Sequence, residues 1–91
     1  MTRQDQIKKV FDSMRDVVLE KNRRYGDSAL TPLGIFSKGT AESNICNRLD
    51  DKLSRIKNSP ELRKNDISDM IGYLSLYCVS KGWTDFSDQI D

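Results

Sequence analysis

The stretch ICNRLDDKLSRIKN, residues 45–58, has the apolar spacing of a single amphipathic helix. At about 100° per residue, its apolar side chains share one narrow stripe: Ile45, Leu49, Leu53 and Ile56. Three cations lie together on one flank of this stripe: Arg48, Lys52 and Arg55. Such side chains keep their aliphatic stems on apolar surface and extend their charged ends toward whatever packs against the stripe. The pattern indicates either a site for a phosphate-bearing ligand or a solvated charge row with an Asp51–Arg55 pair.

The size and charge of the chain limit its function. Its 91 residues predict one small domain that completes its core by pairing with copies of itself. With 15 Lys and Arg against 14 Asp and Glu, the net charge is only +1, so neither DNA nor RNA is an expected partner. The absence of histidine excludes Ser-His-Asp, Cys-His and histidine-based zinc chemistry.

The two cysteines, Cys46 and Cys78, lack metal-binding spacing and are predicted to be buried small apolar residues. No apolar run approaches membrane-spanning length, and the N-terminus lacks the pattern of a signal peptide. We therefore expect a cytoplasmic protein with no membrane partner.

Capping and stop residues predict an all-α fold with three helices. The predicted helices run from Thr2 to Gly26, from Thr40 to Lys57 and from Pro60 to Lys81. The expected N-caps are Thr2, Thr40 and Ser59, and the last helix is expected to stop at Gly82. The short connection between the second and third helices predicts a long antiparallel hairpin. Residues 1–83 would form one helical domain, followed by an acidic C-terminal tail at 84–91.

The third helix is apolar on more than one face. Besides its core stripe, its C-terminal half carries Tyr73, Leu76, Tyr77 and Val79. Large exposed apolar surfaces usually mark interfaces, so we expect a homo-oligomer with this helix near the symmetry axis. The alternative is that a loop, or Trp83 and Phe86 of the tail, covers this face.

Two segments outside the central helix also predict ligand contacts. Tyr25 lies beside the cations of residues 21–24, where an aromatic ring can stack on a base while the cations hold its phosphates. Lys38 and Thr40 precede the second helix, whose free amides and dipole favour an anion. The alternatives are cations that merely complement the dipole at a helix C-terminus and an ordinary threonine cap.

Acidic residues at i,i+3 spacing suggest a magnesium site as a further hypothesis. Asn47 and Asp50 have this spacing on the second helix, and Asp66 and Asp69 have it on the third. The helical phase argues against a shared site, because Asn47 and Asp50 point away from the apolar stripe. The favoured interpretation is that Asp51 and Asp66 pair with the nearby cations.

These elements together resemble a known family. Lys21-Asn22-x-x-Tyr25-Gly26-x-Ser28, then Arg48-Leu49-x-Asp51-Lys52-x-x-Arg55-Ile56-Lys57-Asn58, then Asp66-x-x-Asp69-x-x-x-Tyr73 are similar to small phage proteins of the nucleotide-modification-associated all-α family. The resemblance covers roughly residues 5–81. That family is distantly similar to the MazG-type nucleotide pyrophosphatases, whose paired ExxE motif is missing from the second helix here.

In size and layout the chain also looks like phage sponge proteins that sequester cyclic oligonucleotide signals of CBASS immunity. That likeness implies a non-enzymatic pocket, with an aromatic ring stacking on a base and cations neutralising phosphates. The residues available for it are Tyr25, Lys38, Thr40, Arg48, Lys52 and Arg55. The sponge would need no cofactor and would act in the cytoplasm of the host cell.

Two other functions stay open at this point. One is a Mg²⁺-dependent nucleoside triphosphate pyrophosphohydrolase that uses Asp50, Asp66 and Asp69. The other is a small adaptor whose apolar third helix binds another protein.

Overall fold

The structure is a computed structural model that describes residues 1–27, 29–30 and 39–91. It contains three α-helices and one short 3₁₀ turn. Their bounds are Arg3–Tyr25 for α1, Ala41–Lys57 for α2, Lys64–Lys81 for α3 and Ser87–Gln89 for the 3₁₀ turn. No strand occurs in the part of the chain that the structure describes. The predicted all-α fold with three helices is therefore confirmed.

Short local hydrogen bonds start and end the helices. At the start of α1, Thr2 Oγ1 accepts from the Asp5 backbone N–H at 3.1 Å, and Asp5 Oδ2 accepts from the Thr2 N–H at 3.1 Å. This reciprocal pair is a capping box, and Thr2 is the N-cap that the sequence predicts. Thr40 caps α2 by accepting from the Ser43 N–H at 3.1 Å. Gly82 ends α3 with a φ of 76°, in the left-handed region that favours glycine.

The start of α3 differs from the sequence prediction. The helix begins at Lys64, not at Pro60, and Ser59 is not its N-cap. The Ser59 hydroxyl donates to the Glu61 carbonyl oxygen at 2.9 Å, which closes a turn before the helix. Asp66 Oδ2 instead accepts from the Arg63 backbone N–H at 3.2 Å and so satisfies a free amide at the true helix start. A carboxylate inside the first turn thus replaces the expected serine cap.

α2 and α3 form an antiparallel hairpin. Lys52 pairs with Asp66 near the connection, while Glu42 Oε2 lies 3.0 Å from Lys81 Nζ at the opposite end. α3 packs against both other helices, whereas the fully described helices α1 and α2 do not pack against each other. The hairpin is therefore the centre of the fold, and α1 lies on one side of α3.

The core of the protomer is very small. Ile45 on α2 is the one fully buried apolar side chain among the described residues, and Lys52 and Asp66 are the buried charged ones. The apolar stripe of α1 is exposed in its N-terminal half, at Ile7, Val10 and Phe11. The described residues alone therefore leave much apolar surface in contact with water.

Three smaller features complete the fold. Trp83 packs edge-on to Tyr77, with ring centroids 6.1 Å apart, yet both Trp83 and Phe86 stay more than half exposed. Both cysteines are free thiols; Cys78 is half-buried, but Cys46 is exposed, so its predicted burial is wrong. Cys46 lies about 100° from Ile45 around α2, at the border of the stripe that faces α3. Within the described residues, no helix has both the length and the apolar character needed to cross a bilayer.

Candidate functional site

A cavity of about 390 Å³ opens between the C-terminal half of α1 and the middle of α3. We call it the α1–α3 cavity. Its apolar walls come from both helices and from the turn after α1: Val17, Val18, Ala29, Leu30 and Leu76. Its polar and aromatic lining consists of Lys21, Asn22, Tyr25, Asp27, Arg48, Asp69 and Tyr73. Apolar walls with a few polar groups are typical of small-molecule sites.

Helical spacing explains how these side chains meet. Lys21 and Tyr25 are four residues apart on α1 and therefore share one face. Asp69 and Tyr73 are also four residues apart on α3 and therefore share one face of that helix. Gly72 lies in the cavity wall between them and presents no side chain. The two facing pairs thus place an aromatic ring and a charged group on each wall.

Arg48 reaches the cavity from α2, which is described in full and contributes no other lining residue. Its guanidinium carbon lies 5.8 Å from the centre of the Tyr73 ring, which is a cation–π contact. The side chain is exposed overall, so the contact keeps its charged end at the cavity wall without burying it. An exposed guanidinium held in this way can still donate to a ligand oxygen.

A cluster of ion pairs lies beneath the cavity, between α2 and α3. Lys52 Nζ is 2.9 Å from Asp69 Oδ2 and 3.4 Å from Asp66 Oδ1. Lys21 Nζ of α1 lies 3.4 Å from the other oxygen of Asp69. The side chain of Lys52 is 8% exposed and that of Asp66 is 2% exposed, so both charges are withdrawn from water. We call these four residues the Lys52 cluster.

Three members of the Lys52 cluster, Lys52, Asp66 and Asp69, have pKa values shifted toward their charged forms. The hydrogen bond to Asp69 raises the pKa of Lys52, and the hydrogen bond from Lys52 lowers the pKa of Asp69. Burial acts to raise the pKa of Asp66, but the Arg63 backbone N–H and Lys52 outweigh it, so this pKa lies below its ordinary value. Each buried charge is therefore compensated by a partner of opposite sign.

The structure separates the six residues that the sequence predicts as ligand contacts. Tyr25 and Arg48 line the α1–α3 cavity. Lys52 lies beneath it in ion pairs, whereas Thr40 at the N-cap of α2 and Arg55 on α2 are exposed and lie outside the lining. Lys38 lies outside the described residues. The flank of cations on α2 is therefore divided: Arg48 contributes to the cavity and Lys52 to the structural pairs.

The residues of the alternative metal site are also separated. Asp69 lines the cavity and Asp66 lies beneath it, while Asp50 is exposed on α2. Lys52 lies between Asp66 and Asp69, within hydrogen-bonding reach of both. In the described ranges, His, Cys, Asp and Glu side chains form no group of three that could hold a metal ion. The expected pairing of Asp66 with a cation is confirmed, whereas Asp51 forms no ion pair in the described part of the chain.

Four lining residues are absent from the six predicted ligand contacts: Lys21, Asn22, Asp27 and Tyr73. Of these, Lys21 belongs to the cations of residues 21–24, which the sequence places beside Tyr25 as predicted phosphate contacts. Two of them carried a usable signal. Lys21 is one turn from Tyr25 on the same face, and Tyr73 is one turn from Asp69. Asp27 follows the end of α1, where side-chain direction depends on the turn and not on helical periodicity.

Comparison with known proteins gave no match. No family model matches the chain, and no curated protein or solved structure is similar to it at a significant level. The resemblance to the phage nucleotide-modification-associated family therefore depends on the sequence motifs alone.

Proposed function

We propose that this protein is a non-enzymatic nucleotide-binding protein and that the α1–α3 cavity is its site. The observation that carries the proposal is the convergence of two tyrosines and two cations on one apolar cavity: Tyr25, Tyr73, Lys21 and Arg48. Tyrosine rings supply stacking surfaces for a base, and base–aromatic stacking is open to every base because each has a π-face. Arg48 and Lys21 supply donors for phosphate oxygens.

The cavity volume limits the ligand. About 390 Å³ lies near the lower end of the range of roughly 300–1,000 Å³ that small-molecule sites occupy. This volume suits one nucleotide unit per cavity. A cyclic oligonucleotide would then place one of its nucleotide units in the cavity and leave the others outside it.

A homo-oligomer is the second part of the proposal. The chain exposes 7610 Å² to solvent, whereas a compact monomer of this mass exposes about 5,400 Å². The excess is about 2,000 Å² per chain, or about 4,000 Å² for two copies, which lies within the total of about 2,000–5,000 Å² that obligate interfaces bury. A second copy is the occupant we propose, because two identical apolar faces can cover each other across a two-fold axis.

The hairpin supplies the face for such pairing. Leu53 of α2 is 50% exposed, and Ile67 and Leu74 of α3 are 42% and 48% exposed. On a helical wheel these α3 residues lie on the side of α3 opposite Gly72, which lines the cavity next to α1. The α1–α3 cavity and the proposed interface are therefore on different faces, and assembly through the hairpin leaves the cavity open.

Sequestration of a signalling nucleotide is the biological role that we propose. It agrees with the resemblance to phage nucleotide-modification-associated proteins and with the layout of phage sponges. The low net charge of +1 supports a small nucleotide over DNA or RNA as partner. The Lys52 cluster favours binding over hydrolysis, because a lysine ammonium already compensates Asp66 and Asp69, two of the three carboxylates of the alternative magnesium site.

Isothermal titration calorimetry with a panel of cyclic di- and trinucleotides and mononucleotides tests the proposal. We expect saturable heats for at least one member and a stoichiometry of one ligand per chain. Heats equal to those of dilution for every member would refute nucleotide binding, whatever the oligomeric state.

A further inference from the structure

The end of the cavity next to Tyr25 contains hydrogen-bond acceptors. Asn22 Nδ2 donates to Asp27 Oδ1 at 2.9 Å and to the Gly26 carbonyl oxygen at 3.2 Å. These two bonds use both amide hydrogens of Asn22. The Asn22 carbonyl oxygen and the Asp27 carboxylate are therefore the groups left to contact a ligand, and both are acceptors.

The two carboxylates that line the cavity have different partners. Asp69 is bonded through each of its oxygens to a lysine ammonium, from Lys21 and Lys52. Asp27 is held by the neutral amide of Asn22, and no ion pair joins it to a cation within the described part of the chain. Asp27 therefore keeps most of its acceptor capacity for a ligand with N–H donors.

We propose that Asp27 recognises the base of the ligand and selects guanine. This inference rests on the proposed function, because it assigns specificity to the same cavity. The Watson–Crick edge of guanine presents the N1–H and N2–H donors side by side. A carboxylate accepts two parallel N–H bonds of this kind, as it does from an arginine fork. Adenine offers one donor beside the N1 lone pair, which a carboxylate repels.

The position of Asp27 fits this role. It lies two residues after Tyr25, so a base that stacks on the Tyr25 ring has its edge close to the turn that carries Asp27. The fixed amide of Asn22 limits the motion of the carboxylate before the ligand arrives. Arg48 lies on α2 and Lys21 one turn before Tyr25, where they can contact phosphate while Asp27 contacts the base.

Calorimetric titration with guanosine, inosine, adenosine and xanthosine monophosphates tests this inference. We expect the wild-type protein to bind the guanine nucleotide about 10- to 100-fold more tightly than the adenine nucleotide, which is the discrimination of one bidentate contact. Inosine monophosphate, which lacks the N2 amino group, should bind with intermediate affinity. Asp27→Asn should lose the guanine preference and gain affinity for xanthosine monophosphate, whose O2 accepts from the new amide.

Asp51→Asn is the matched control, because Asp51 is exposed on α2 and does not line the cavity. It should keep the wild-type order of affinities. Equal binding of guanine and adenine nucleotides by the wild type would overturn guanine selection while leaving nucleotide binding in place. An unchanged preference in a folded Asp27→Asn variant would overturn the role of Asp27. Failure of all four nucleotides to bind, with cyclic nucleotides also inert, would remove the proposed function and this inference with it.

Discussion

Lys52 Nζ lies 2.9 Å from Asp69 Oδ2, and this contact joins the hairpin to the wall of the α1–α3 cavity. Lys52 is buried in the α2–α3 interface, whereas Asp69 borders the cavity and also contacts Lys21 of α1. One carboxylate thus links all three helices through its two cations. The cluster has a structural role, and its position next to the cavity explains why the sequence suggests Lys52 as a ligand contact.

Replacing Lys52 by Met should destabilise the protein strongly. The variant leaves Asp66 and Asp69 without the cation that compensates them, and an uncompensated buried charge is costly. We expect the melting temperature to fall by ~10 °C or more. Lys57→Met replaces an exposed lysine of the same helix and is the control, which should change the melting temperature little. Equal melting temperatures for both variants would contradict the buried pairing.

The stability of the protein should depend on pH through the same cluster. Asp66 and Asp69 have lowered pKa values in the folded state, so the unfolded chain binds more protons than the folded one below about pH 4. Their contribution is present above that pH and is lost as the pH falls further. Lys52 has a raised pKa, so its contribution is complete below about pH 10.4 and is lost as the pH rises beyond it.

Urea titrations between pH 2 and pH 12 measure this dependence as the free energy of unfolding. The difference between wild type and Lys52→Met isolates the cluster from other carboxylates with lowered pKa values, such as Asp5. We expect that difference to shrink at both ends of the pH range. A difference that stays constant throughout would show that the cluster is not ionised as described.

The cavity contact of Arg48 should be measurable in binding. Arg48→Ala removes the guanidinium held over Tyr73, and we expect a loss of about 1–3 kcal/mol in nucleotide affinity for a charge-assisted contact. Arg55→Ala removes the same charge from the same helix outside the cavity lining and should leave the affinity unchanged. Equal losses in both variants would indicate a general charge effect instead of a defined contact.

Assembly through the hairpin can be tested by sedimentation. Leu74→Asp places a charge on the exposed apolar face of α3 and should convert the homo-oligomer to monomers. Leu19→Asp, on the polar side of α1, is the control and should not change the sedimentation coefficient. A monomeric wild-type protein would contradict the proposed assembly. An unchanged oligomer in the Leu74→Asp variant would place the interface on another surface.

Hydrolysis offers a further test that separates binding from catalysis. With Mg²⁺ and each nucleoside triphosphate, we expect no release of pyrophosphate, because Lys52 compensates Asp66 and Asp69, two carboxylates of the alternative magnesium site. Release that is abolished by Asp69→Ala would identify the protein as a pyrophosphohydrolase. Such a result would also require Lys52 to move away from Asp69.

Local sequence signals predicted most of the fold. Thr2 with Asp5, Thr40, and Gly82 each act through bonds to residues a few positions away, and each lies where the sequence places it. The predicted start of α3 was wrong because two local signals compete there. Ser59 and Pro60 favour an early start, but Asp66 satisfies the Arg63 amide and also pairs with Lys52 on another helix.

The candidate site could be predicted only in part. Helical phase places Arg48 beside the apolar stripe and Tyr25 on the inner face of α1, and both line the cavity. Helical phase also places Lys52 close to Ile45 on α2. Burial of a lysine, however, requires a carboxylate opposite it on another helix, and helical periodicity does not show whether one is there. Lys21 meets Asp69 across 48 positions of sequence, a contact that depends on how α1 packs on α3.

Titration of the isotopically labelled protein with millimolar nucleotides, followed by NMR, tests nucleotide binding in the α1–α3 cavity most directly. The account predicts saturable shifts of the Asn22, Gly72 and Tyr73 signals, which surround the cavity, and smaller shifts for the same ligand in Arg48→Ala. Spectra that do not change with any nucleotide, or shifts confined to the Leu53 and Leu74 face of the hairpin, would contradict it.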